Sequence, residues 1–161
     1  MAENLREAVS RLEEEVSRLR EFIAERERQI REQAFKLQAR LLMERLFLPY
    51  FEGLAEGLGL TPAEAVRMLI EKNITLDRLA ESHREALDVF LSQPEVKVAV
   101  AIAGRAANKP DEWFKEKLPT LLEVMEESAP ELTEAIKKTK GGRSWLLKSL
   151  TGLRDLLFGG R

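Results

Sequence analysis

The chain has no cysteine, so disulfides and thiolate chemistry are both excluded, and with them an extracellular disulfide scaffold. Asparagine and glutamine are scarce, three and four residues, in a chain that is 34% charged. That skew resembles hyperthermophile composition, in which charge networks are favoured and labile side chains avoided. Aromatics make up only 6% of the 161 residues, yet apolar residues at 44% still suffice for a core, so the default is a folded chain. No apolar run approaches the ~20 residues that span a bilayer. The opening is acidic, with Glu3, Glu7 and the cluster Glu13, Glu14 and Glu15, which excludes a signal peptide there and leads to a cytoplasmic expectation.

Sites for chemistry are equally scarce. His83 is the single histidine, and its neighbours three and four positions away are Leu79, Ala80, Ala86 and Leu87. No carboxylate shares its face, so neither a metal pair nor an acid–base dyad can be built on that helix, and the residue reads as a histidine bonded in or beside the core. Gly141-Gly142 and Gly159-Gly160 lack the Lys-Ser/Thr and the preceding strand of a phosphate loop. Glutamate pairs such as Glu126-Glu127 suit a solvated face. No catalytic residue, metal ligand or cofactor is expected, and the chain reads as a non-enzyme.

What is present is a strict 4-3 spacing of apolar residues at the start. With Val9, Val16, Ile23 and Ile30 at heptad position a, the d positions are Leu5, Leu12 and Leu19. β-Branched residues at a with Leu at d favour two parallel strands, which makes these seven residues a candidate homodimer interface. Glu15 at g would face Arg20 at e of the partner helix, an exposed pair worth only ~0.3–0.5 kcal/mol. The heptad fails at Arg26 and Gln33, and the step from Ile30 to Ala34 is a stutter. Beyond it the apolar side broadens through Phe35, Leu42, Leu46 and Phe47, as for a helix entering a core. An antiparallel hairpin within one chain is the competing reading of the stripe.

The expected architecture is all-α. A long helix over 1–48, coiled over about 5–30 and stopped by Pro49, leads into a small multi-helix orthogonal domain over 49–140. A basic amphipathic tail helix follows over 141–161. Capping boxes at Thr61-Glu64, Ser92-Glu95, Thr120-Glu123 and Ser128-Glu131 mark helix starts, and Gly59, Asn73, Asn108 and Gly141-Gly142 mark stops. The inferred helices are 50–58, 62–72, 76–91, 94–107, 111–117, 120–127, 131–139 and 145–157. Val96, Val98, Val100 and Ile102 alternate as a strand would, but a lone strand has no partner, so a buried central helix is expected.

Charge is unevenly distributed. From Lys137 onward the chain holds seven basic residues against Asp155 alone, whereas residues 1–136 hold nineteen basic against twenty-seven acidic. In the tail Trp145, Leu146, Leu150, Leu153 and Leu157 share one side, with Lys148 and Arg154 opposite. Such a helix either folds back on its own domain, toward the acid-rich stretch 111–134, or docks on a partner protein or an anionic membrane surface. The second outcome defines the functional expectation, a homodimeric adaptor or scaffold whose tail docks through those seven residues. The alternative is a dimeric DNA-binding protein with a degenerate helix-turn-helix around 62–82. Nucleic acid is less favoured, because Asp77, Glu81, Glu85 and Asp88 would repel phosphates along the supposed reading helix.

Overall fold

The computed structural model describes residues 2–107 and 109–158, and the fold is all-α. In order come α1 (Ala2–Leu41), a π-helical turn (Leu42–Phe47), α2 (Leu48–Gly57), α3 (Pro62–Glu71), α4 (Leu76–Ser82) and α5 (Arg84–Ser92). Then follow α6 (Pro94–Ala107), α7 (Asp111–Ser128), α8 (Pro130–Lys138) and α9 (Gly142–Phe158). The chain divides into two compact units, one ending at Leu37 and the other beginning at Gln38. The helical body therefore starts some ten residues earlier than the sequence reading put it, and α9 belongs to it rather than forming a separate tail.

Pro49 does not end the first helix. In a regular α-helix its ring would meet the carbonyl of Arg45, and no amide would bond that oxygen. The π turn over Leu42–Phe47 immediately precedes it, widening the spiral so that the proline enters as an early residue of α2. Leu48 stays helical at φ −64°, ψ −48° despite preceding a proline. Met43, Leu46, Phe47, Leu48 and Phe51 are all buried here, and that burial holds the helical path.

Proline also decides which capping residues act. Pro62, Pro94 and Pro130 each open a helix, the position where a missing amide costs nothing. The cap is then the residue just before the proline. Thr61 qualifies, and its Oγ1 accepts from the Glu64 amide at 3.2 Å while donating to the Glu64 carboxylate at 2.9 Å. In Ser92-Gln93-Pro94 and Ser128-Ala129-Pro130 the serine stands one residue too early. Ser92 instead donates to the Val89 carbonyl and Ser128 to Glu44. Thr120 and Glu123 lie inside the continuous α7, which runs through Pro119 because Phe114, Leu121, Leu122 and Met125 are buried along it.

The stop signals at Gly59, Asn73 and Gly141 all carry positive φ (72°, 56° and 81°). Asn108 lies outside the described residues. The expected helix 76–91 is broken at His83 (φ −121°, ψ 51°). Helix α6 is helical as expected but is not a buried central helix. Among its described side chains only one stripe, Val96 and Ala99, is buried, against Leu46, while Val98 and Ile102 are 59% and 57% exposed.

Helix α9 is tied into the body from several sides. Trp145 Nε1 donates to the Ile74 carbonyl at 2.7 Å, and the buried Ser149 Oγ accepts from the Leu76 amide at 3.2 Å. Two glycines set how closely its neighbours approach. A Cβ on Gly142 would overlap the carbonyl of Ile136, and one on Gly152 would lie 2.5–2.6 Å from the carboxylate oxygens of Asp77. Gly152 costs the isolated helix about 1 kcal/mol relative to alanine, and it is present because α4 packs over it. Gly152→Ala should therefore lower stability by about 1–3 kcal/mol in urea melts, against its helix propensity. In an Asp77→Ala background the same change should become neutral or stabilising. Equal effects in both backgrounds would contradict the contact.

Candidate functional site

The α1 stripe is the first candidate. All seven expected interface residues, Leu5, Val9, Leu12, Val16, Leu19, Ile23 and Ile30, are exposed in the single chain, from 45% at Val16 to 68% at Leu5. Helix α1 is continuous from Ala2 to Leu41, so no hairpin forms within it. Phe22 and Leu37 add exposed apolar surface on the same helix that the heptad does not account for. Lone exposed leucines are ordinary, but here seven apolar residues stand exposed in one row on one helix. Two ion pairs on α1, Glu25–Arg28 and Glu27–Arg31, lie within the helix. The Arg28 guanidinium bonds both oxygens of Glu25 at 2.7 Å and holds that carboxyl below its usual range. Glu15 and Arg20 form no ion pair within the chain among the described residues.

The tail is the second candidate, and here the structure corrects the expectation. Trp145, Leu146, Leu150 and Leu153 are core residues, each at least nine-tenths buried, and Leu157 is half-buried. A side chain already packed inside its own domain offers no face to a partner protein or a membrane. Arg154 is committed as well. It pairs with Asp111 at 2.6 Å and Asp155 at 2.9 Å, donates to the Lys109 carbonyl at 2.7 Å and lies 5.5 Å from the Phe114 ring centre. Burial by itself would lower its pKa, but the bonds to the two carboxylates outweigh that and raise it. Of the seven residues expected to dock, only Lys148 is exposed. The fold-back toward the acid-rich stretch is what the chain adopts: Arg154 meets Asp111, and Lys137 meets Glu126 at 3.0 Å. The apolar stripe of Trp145, Leu146, Leu150 and Leu153 has the same spacing whichever body covers it.

Neither remaining candidate gains chemistry. His83 is exposed at the α4–α5 break rather than in or beside the core, with Nδ1 3.1 Å from the Leu79 carbonyl of its own helix. No group of three or more histidine, aspartate or glutamate side chains able to hold a metal occurs among the described residues. In the 62–82 segment α3 packs chiefly on α8 and α4 on α9, so the two helices do not form the self-packed unit that a DNA reader needs.

An apolar cavity of about 40 Å³ lies inside the body, lined by residues including Leu46, Phe47, Tyr50, Leu87, Phe90 and Leu153. That is room for a few water molecules at most, and Arg154 on its wall is already bonded. Compared with protein-family models, with curated proteins and with solved structures, the chain matches none.

Tyr50, on the same wall, is the chain's single tyrosine. It is buried, its ring packs tilted against Phe90 with the centroids 5.2 Å apart, and its hydroxyl has no partner among the described residues. Burial pushes its pKa up to about 12. The neutral phenol is the form the fold favours, so this contribution to stability is complete below about pH 10 and is lost as pH rises through 12. Absorbance at 295 nm should show ionisation near pH 12 in the folded chain. Tyr50→Phe should remove that alkaline loss and, with no unsatisfied hydroxyl left, raise stability by about 1 kcal/mol. Ionisation near pH 10 with a destabilised Tyr50→Phe would contradict the burial.

Proposed function

We propose that this protein is a non-enzymatic homodimeric scaffold, in which Leu5, Val9, Leu12, Val16, Leu19, Ile23 and Ile30 of two chains form a parallel coiled coil and each chain contributes one helical body. The observation that carries the reading is the exposed row on α1. Each Val, Ile or Leu that moves from water into a packed layer contributes about 1.5–3 kcal/mol, so a handful of layers outweighs the cost of association. Parallel orientation follows from β-branched a positions over Leu at d, and it brings the unpaired Glu15 of one chain to Arg20 of the other. The apolar side of α9 has no external part in this scheme. A chain without cysteine suits a reducing compartment, and no helix among the described residues is long and apolar enough to cross a membrane, so we assign the scaffold to the cytosol.

Light scattering after size exclusion tests the proposal. The wild-type chain should elute at twice its 18.4 kDa mass. Val16→Glu combined with Leu19→Glu places charge in two adjacent layers and should weaken association at least a hundredfold, giving the single-chain mass at micromolar concentration. The near-ultraviolet signal of Trp145 should stay unchanged, because the body does not depend on those residues. A wild-type chain that runs as a monomer at every concentration would remove the proposal.

A further inference from the structure

The basic stretch Lys137–Arg143 did not follow the apolar face of α9 into the core. It borders a groove of about 400 Å³ between α7, the end of α8 and the start of α9. Leu118, Pro119 and Leu122 form its apolar part, and Lys115, Lys137 and Arg143 stand around them with Glu123 as the one acid. Lys137 is bonded to Glu126 at 3.0 Å. Lys115 and Arg143 are exposed and form no ion pair among the described residues. Helix α9 has no acid in its first turn, so nothing on that element neutralises Arg143. The volume falls in the range of sites that hold a ligand or a few residues of peptide.

We propose that this groove docks a short acidic segment of a partner protein, with an apolar side chain seated on Leu118 and Pro119 and carboxylates at Lys115 and Arg143. Charge complementarity selects an anionic occupant, and the apolar part selects a peptide among anions. A phosphate backbone gains nothing from Leu118 or Pro119, so the apolar part of the groove is what separates a peptide from a nucleic acid. A segment with carboxylates spaced around one leucine-like residue meets both demands of the site. The groove lies wholly on the body, so its occupancy is read separately from the oligomeric state.

The test is fluorescence anisotropy with the full chain and a labelled peptide of glutamates around a pair of leucines. Saturable binding is expected, weakened at least tenfold by Lys115→Glu with Arg143→Glu and weakened by salt. Lys148→Glu, an exposed change elsewhere on α9, should leave it unaltered. Circular dichroism and scattering mass should be the same for all variants. If the double variant misfolds, Lys115→Gln and Arg143→Gln singly carry the comparison, each with a severalfold loss expected. The proposal is overturned by any of three results: no saturable binding up to millimolar peptide, equal binding of a peptide with lysines in place of the glutamates, or displacement of the peptide by inorganic phosphate or duplex DNA as readily as by unlabelled peptide.

Discussion

The close seating of α9 is the constraint on which the rest of the body depends. It requires that Gly142 lack a Cβ, since one there would overlap the Ile136 carbonyl, and Gly152 leaves room for the Asp77 carboxylate. With the helix that close, Trp145 reaches the Ile74 carbonyl, Ser149 caps the Leu76 amide, and Leu146 and Leu150 complete the core. The seating also draws Arg154 onto Asp111, one of the few contacts in which a charged side chain is mostly buried. A double glycine that resembles a fragment of a phosphate loop is thus a packing device.

This seating redistributes the functional surfaces. The apolar side of α9, once inside, is no longer available to a partner, and the basic residues around Arg143 remain outside beside the apolar groove of α7. The unit ending at Leu37 has the opposite character. Its apolar row has no cover in the single chain, and the ion pairs Glu25–Arg28 and Glu27–Arg31 lie within the one helix. Surface pairs of that kind contribute little, so an isolated helix of this composition needs a packed face to be stable. The proposed seam supplies one.

Much of this was legible in the residues where local rules act alone. Thr61 before Pro62, Gly59 and Asn73 at positive φ, and the helical course of α1 all operate within a few residues. The sequence reading failed where a neighbour far along the chain decided the outcome. Pro49 is a stop signal only in a regular helix, and the π turn ahead of it removes the clash. His83 was placed by the phase of a single helix over 76–91, whereas the break at His83 turns it to solvent. Val98 and Ile102 looked buried because alternation with alanine suits a tight core, yet only one stripe of α6 meets Leu46. The tail stripe was read correctly as amphipathic, and the body that covers it was invisible in the spacing. Even the capping boxes needed proline to fix their register, a signal that was present and outweighed the serines.

The central claim is a parallel, in-register pairing of two α1 helices, and the absence of native cysteine makes it directly measurable. A single Leu12→Cys substitution puts one thiol in a d layer. Under mild oxidation the account predicts rapid, near-complete conversion to a covalent dimer, since a parallel seam brings the two residues at position 12 face to face. Failure of Leu12→Cys to cross-link, while Leu5→Cys mixed with Ile30→Cys joins readily, would show an antiparallel pair and contradict it.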